Sequence, residues 1–129
     1  MPYVHLVVVL ALAEFVVFGY AVGRARSRYH VPAPATAGHE VFERYYRVQM
    51  NTLEQLVVFV PAMMLFGRYL SAPTAAALGV LFIVGRALYF RGYVRSPERR
   101  HFGFGVSFFP NLVLLIGALV GVLRALLSS

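Results

Sequence analysis

The chain has no cysteine, which excludes a disulfide framework, thiolate metal sites and a cysteine nucleophile together. It has no lysine either: all 12 basic residues are arginine, set against 5 acidic ones for a formal charge of +7. Charge of any kind is sparse. Only 13% of the 129 residues are charged, whereas a soluble domain carries about a quarter. No Ser–His–Asp order, Walker loop or GxGxxG occurs, so acyl transfer and nucleotide hydrolysis have no support. His5, His30, His39 and His101 are scattered without ligand spacing, and no metal site is expected. What the chain has in abundance is apolar surface, with 60% hydrophobic residues and a mean hydropathy of +0.71. A chain this short buries too small a fraction of its surface to hide so much from water. A soluble enzyme does not fit this composition; a membrane protein does.

Four segments are long enough to span a membrane, which takes roughly 20 residues, although the second is apolar only from Leu56 to Phe66 and polar in its first turns. Their expected bounds are about 3–28, 39–70, 73–94 and 102–127, within one domain covering residues 1–129. The first has no basic leader and no small-residue cleavage site before Arg24, so a retained helix is expected rather than a cleaved signal peptide. Prolines and glycine in RARSRYHVPAPATAG mark a non-helical connection after it. Pro61 removes a backbone donor inside the second helix and is expected to kink it. Ser71 ahead of Pro73 suits a helix start. The expected fold is all-α, a four-helix membrane bundle running up, down, up and down.

Orientation follows from the arginines. Loops one and three share a side and hold Arg24, Arg26, Arg28, Arg91, Arg95, Arg99 and Arg100. Arg68 and Arg124 lie on the other side with both termini. The positive-inside rule then places loops one and three in the cytoplasm and the termini opposite. A bacterial inner membrane is the expected location.

Ionisable groups inside spans are costly and usually face a bundle interior, a partner or a cavity. At 100° per residue, Glu40, Glu43, Arg44, Arg47, Asn51 and Glu54 share an arc of about 100° on the second helix. Such an arc either presents several donors and acceptors to one ligand or forms a ladder of pairs, with Glu43–Arg47 and Arg47–Asn51 or Arg47–Glu54 at helical spacing. Gln49 points nearly the opposite way and cannot serve the same pocket within one chain. That is a geometric hint of sites between subunits. Arg86, Tyr89 and Tyr93 share one face of the third helix, and Arg86 needs a partner, for which Glu54 or Glu43 is a candidate. Tyr45, Tyr46 and Tyr69 suit the interfacial belt. Glu14 is either a proton relay, which would allow a small proton-coupled transporter, or a protonated or hydrogen-bonded helix contact. Gly19 with Gly23 and Gly117 with Gly121 form GxxxG pairs suited to close packing. Asn111 beside Pro110 is a candidate for a hydrogen bond across helices.

The string FERYYRVQMNTLE, Phe42 to Glu54, resembles the second-helix signature of the MAPEG family (membrane-associated proteins in eicosanoid and glutathione metabolism). That signature is approximately E-R-x-x-R-x-Q-x-N-x-x-E, and every fixed position occurs here. RALYFRGYVRSPERR, Arg86 to Arg100, is similar to the family's second motif at the end of the third helix. The nearest branch holds leukotriene C synthase, the type-two microsomal glutathione transferases and the 5-lipoxygenase-activating protein. Ser27 stands where leukotriene C synthase has a second loop arginine, and Gln55 where it has a tyrosine.

The resemblance implies a homotrimer of four-helix subunits that binds glutathione as co-substrate at each interface. Arg47, Asn51, Glu54, Tyr89, Tyr93 and Arg100 would come from one subunit, and Arg26 and Gln49 from its neighbour. Arg100 is the implied catalytic residue, holding the glutathione thiol as thiolate. A hydrophobic electrophile would be conjugated, with reduction of lipid hydroperoxides as a second activity. The alternative is a non-catalytic lipid-binding membrane protein resembling the 5-lipoxygenase-activating protein. Membrane lipids are expected partners, held by arginines outside the pocket, chiefly Arg24, Arg28, Arg91 and Arg99. Nucleic acid is not needed to account for the charge.

Overall fold

The computed structural model describes residues Met1–Ser129. Four long helices account for nearly all of it: α1 (Pro2–Tyr29), α2 (Glu40–Tyr69), α3 (Ala72–Arg95) and α4 (Arg100–Leu127). A single 3-10 turn, Pro97–Arg99, precedes α4. Each helix is long and apolar enough to cross a membrane. The chain is an integral membrane protein with a four-helix bundle fold.

Local chemistry sets the helix ends. Pro2 opens α1, where a missing N–H costs nothing. α1 continues through Arg24–Tyr29 and stops at His30, which is left-handed at φ 57°. His39 caps α2, its Nδ1 accepting from the Val41 N–H at 3.1 Å. Ser71 caps α3, its Oγ accepting from the Thr74 N–H at 3.2 Å. α2 remains helical across Pro61, and α4 across Pro110, so neither proline ends its helix.

α2 and α3 form the central pair; α1 packs on both from one side and α4 on both from the other. The α3–α4 contact is the most intimate. A Cβ added at Gly85 would stand 2.5 Å from the Ser107 nitrogen, and one at Gly103 would stand 2.5 Å from the Tyr89 Cα. Both positions admit only hydrogen, so the two backbones touch. The expected GxxxG pairs behave unequally. Gly117 and Gly121 receive Phe66 and Tyr69 of α2, and Gly19 receives the Gln49 amide, but Gly23 faces open space. A glycine pair marks closeness only where another helix supplies something to fill the gap.

The core is layered along the bundle axis. The half nearer the termini is apolar and centred on Val4, Val7, Leu56, Phe59, Met63, Phe82 and Leu114. Phe59 and Phe82 stack with ring centres 4.0 Å apart. Nearer loops one and three the interior turns polar, with Thr52, Arg86, Ser107 and Asn111 all buried. Outer faces stay apolar: Val16, Tyr20 and Phe102 are about 70% exposed, at 68%, 69% and 72%. In water such a surface would drive association; against lipid chains it is the face that solvates.

Candidate functional site

The site is built from the buried layer outward. Arg86 has no exposed surface at all. Its Nε and Nη2 donate to Thr52 Oγ1 at 3.2 and 2.8 Å, Nη1 to Ser107 Oγ at 3.1 Å, and Nη2 also to Asn51 Oδ1 at 2.8 Å. Each hydroxyl can accept because its own proton is committed elsewhere. Thr52 donates to the Val48 carbonyl at 2.8 Å and Ser107 to the Phe104 carbonyl at 3.1 Å. The Tyr89 ring covers the guanidinium at 4.3 Å. Glu54 and Glu43 are therefore not the partners of Arg86. Glu54 is exposed on α2, and Glu43 Oε2 accepts from the Gly38 N–H at 3.2 Å, at the entry to the helix. The reason is reach: three neutral acceptors converge from two adjacent helices where neither carboxylate arrives.

The expected ladder of pairs on α2 does not form either. The one ion pair is Arg44–Glu40, at 3.0 Å. Arg44 Nη1 also donates to the Val94 and Arg95 carbonyls, both at 3.3 Å, and so closes the C-terminus of α3. Arg47 is left exposed and without a carboxylate partner. Asn111 does cross between helices, its Nδ2 donating to the Gln55 carbonyl at 3.2 Å and to Gln55 Oε1 at 3.0 Å. Glu14 is half-buried on α1, with Oε1 sealed from solvent and no hydrogen-bond partner.

Above the Arg86 layer, at the end of the bundle where α3 gives way to α4, a cleft of about 320 Å³ opens. Arg47 and Asn51 of α2, Tyr89 and Tyr93 of α3, and Arg100, His101 and Phe104 of α4 line it. Five of the eight expected site residues thus come together. His101 and Phe104 were not singled out from the sequence, although both follow Arg100 within the first turns of α4. Arg100 is anchored by donating Nη1 to the Pro97 carbonyl at 2.7 Å, with its guanidinium 5.9 Å from the Tyr93 ring centre. The remaining N–H groups of Arg100 are free for a ligand, and the N-terminus of α4 adds its partial positive charge. Two arginines, a helix terminus and two phenols therefore converge with no carboxylate among them. The arrangement favours an anion.

The other three expected residues lie apart. Gln49 sits on the opposite face of α2, its Nε2 seated against Gly19 of α1. Arg26 donates Nη1 to the Ala35 carbonyl at 2.6 Å and covers the Phe42 ring at 4.9 Å, bracing the first loop. Glu54 is a turn beyond Asn51 on the exposed surface and does not line the cleft. Two further clefts hold most of the remaining arginines. One carries Arg24 and Arg28 beside Tyr29, Tyr45 and Phe90; the other carries Arg91, Arg95 and Arg99 beside Leu88 and Phe102.

Residues 4–120 match the MAPEG family model. An uncharacterised protein of Synechocystis is 44% identical over 92% of this chain and 86% of its own length. Mouse microsomal glutathione S-transferase 2 is 38% identical over 87% of this chain and 76% of its own. Rat leukotriene C4 synthase is 35% identical over a shorter stretch, 64% of this chain and 55% of its own length. Helices, motif register and family match run over the same residues, and the chain belongs to the MAPEG family.

Proposed function

We propose that the chain is a membrane-bound glutathione transferase, working as a homotrimer with a glutathione site at each subunit interface. The observation that carries this reading is the cleft of Arg47, Asn51, Tyr89, Tyr93 and Arg100, which gathers cationic and hydrogen-bonding groups around an anion-sized space. Glutathione offers two carboxylates for guanidinium forks and a thiol that must ionise to react. A free thiol ionises near pH ~8.5 and is held as thiolate by an adjacent arginine. Lowering that value by about two units requires about 2.7 kcal/mol of differential stabilisation. Arg100 takes this role, because its Pro97 anchor leaves donors facing the cleft. The thiolate then attacks a hydrophobic electrophile: the C–S bond forms and the leaving group departs with the electron pair. A cleft so rich in cations is better matched to a carboxylate-bearing tripeptide than to an acyl chain, which favours this reading over the lipid-binding alternative.

Assembly is supported by residues that one chain leaves unanswered. Glu54 is exposed about 21 Å along α2 from Glu40 at 1.5 Å per residue. A bare carboxylate at that depth is costly unless a neighbour covers it. Gln49 and Arg26 point away from their own chain's cleft and would complete a neighbour's, while Glu54 would hold the glutathione amino group. Loops one and three face the cytoplasm in this reading, in a bacterial inner membrane, and the arginines of the two outer clefts meet anionic headgroups at about 1 kcal/mol each.

Purified protein mixed with glutathione and a chloronitrobenzene electrophile should form the thioether with release of chloride. Absence of conjugation, together with no calorimetric binding of glutathione, would overturn the reading. The assembly has its own test. Co-expressed Arg26→Ala and Arg100→Ala chains should regain activity that neither has alone, because mixed trimers contain some fully intact interfaces. No recovery in isolated mixed trimers would place each site within a single chain.

A further inference from the structure

Arg86 takes no direct part in the cleft, yet it touches two of the residues that line it. Its Nη2 donates to Asn51 Oδ1 at 2.8 Å, and its guanidinium carbon lies 4.3 Å from the centre of the Tyr89 ring. Asn51 and Tyr89 belong to the cleft wall; Arg86 does not. A guanidinium carries donors only, so the atom of Asn51 that meets it must be the carbonyl oxygen. The usual ambiguity between the two ends of an amide is removed by the chemistry of the partner. The Asn51 nitrogen, with two N–H groups, is then the end left for the cleft.

Arg86 cannot turn aside to release this arrangement. Thr52 and Ser107 hold its other nitrogens, and both hydroxyls have already given their protons to the Val48 and Phe104 carbonyls. Neither can reverse direction toward Arg86, because a guanidinium carries donors only and offers nothing to receive a hydroxyl proton. Five residues on three helices therefore fix the sense of one side-chain amide.

We propose that Arg86 is a positioning residue that sets the polarity of the cleft at Asn51. By claiming the Asn51 oxygen it obliges the cleft to offer N–H donors there, so the ligand must place an acceptor at that point. A carboxylate, a peptide carbonyl or a thiolate satisfies the requirement; an ammonium, which carries donors only, does not. The identity of the ligand rests on the glutathione reading above, whereas the polarity rests on the Arg86–Asn51 contact alone.

The test separates these two layers. The chain has only two asparagines, Asn51 and Asn111, so protein labelled with 15N-asparagine gives two side-chain amide pairs in an NMR spectrum. Arg86→Met should displace the Asn51 pair while the Asn111 pair, held on Gln55 of α2, stays in place. Displacement of both pairs would mean that Arg86 merely supports the packing, and displacement of neither would mean that it does not hold Asn51; each result overturns the proposal. The second arm is Asn51→Asp, which keeps an acceptor for Arg86 but turns the cleft-facing donor into an acceptor. Glutathione should then bind at least tenfold more weakly by calorimetry, with the thermal midpoint retained. Unchanged affinity would overturn the proposal. If the unaltered protein binds no glutathione, the functional reading fails, and the two amide pairs still decide whether Arg86 sets the sense of Asn51.

Discussion

Arg86 and Arg95 stand nine residues apart on α3, and the bundle treats them in opposite ways. Arg86 is fully buried, hydrogen-bonded by Asn51, Thr52 and Ser107, and covered by an aromatic ring. The Arg95 side chain is exposed, and only its backbone carbonyl is engaged, by Arg44. Arg100, in the cleft, is intermediate: one nitrogen is anchored and the others are open. The same side chain thus serves as a structural pin, a candidate chemical group and a solvated charge. What separates the three is how many of its five donors the chain itself satisfies. A guanidinium with four of its five donors claimed, as in Arg86, holds others in place, and one with none claimed on an exposed helix end, as in Arg95, meets solvent. In the proposed function the chemistry falls to Arg100, which is partly claimed and also lines the cleft.

This ranking can be broken by substitution. Arg100→Gln should lower kcat for conjugation about a hundredfold, equivalent to about 2.7 kcal/mol, while glutathione affinity falls much less. Equal losses in kcat and affinity, compared by steady-state kinetics and calorimetry, would contradict its assignment to the thiolate. Arg86→Met removes charged hydrogen bonds from a buried layer and should cost about 2 kcal/mol of stability, seen as a lowered thermal midpoint in detergent. An unchanged midpoint would mean that the layer is not held by its arginine. Gly103→Ala drives a methyl into the Tyr89 backbone and should cost about 1 kcal/mol or somewhat more, with activity falling as α3 and α4 part. Full activity and an unaltered midpoint would show that the helices can separate freely. Arg95→Gln should change stability by less than about 0.5 kcal/mol and leave conjugation intact; a larger drop in the thermal midpoint would give this exposed residue a structural partner that one chain lacks.

Much of the architecture was legible because its causes are periodic. Apolar runs place the four helices, and Ser71 ahead of Pro73 marks the cap of α3, whereas the His39 cap of α2 had no signal of its own. The polar arc on α2 and the tyrosine spacing on α3 brought Arg47, Asn51, Tyr89 and Tyr93 to the same cleft as Arg100. The interior of the polar layer was not legible. Thr52 and Ser107 are small hydroxyl residues in apolar surroundings, and nothing in their spacing marks them as acceptors for Arg86. Glu43 and Glu54 carried the stronger charge signal, but charge without reach makes no contact. Likewise, Gly85 and Gly103 lie on different helices and each meets the backbone of the other helix, at Ser107 and Tyr89, so no motif within one helix could disclose the contact. His101 and Phe104 had a usable signal, their position in the first turns after Arg100, but only a known helix start turns that into a wall of the cleft.

The contact at Gly103 has a further consequence for how such a protein can diversify. Gly103 lies three residues beyond Arg100, and its partner on α3 is Tyr89, itself part of the cleft. The joint between the two helices is therefore also the fulcrum on which one wall of the cleft would swing. A single added methyl would widen the gap between Arg100 and the tyrosines without altering any residue that meets a ligand. Ligand size could then be retuned from a position that no comparison of binding residues would inspect.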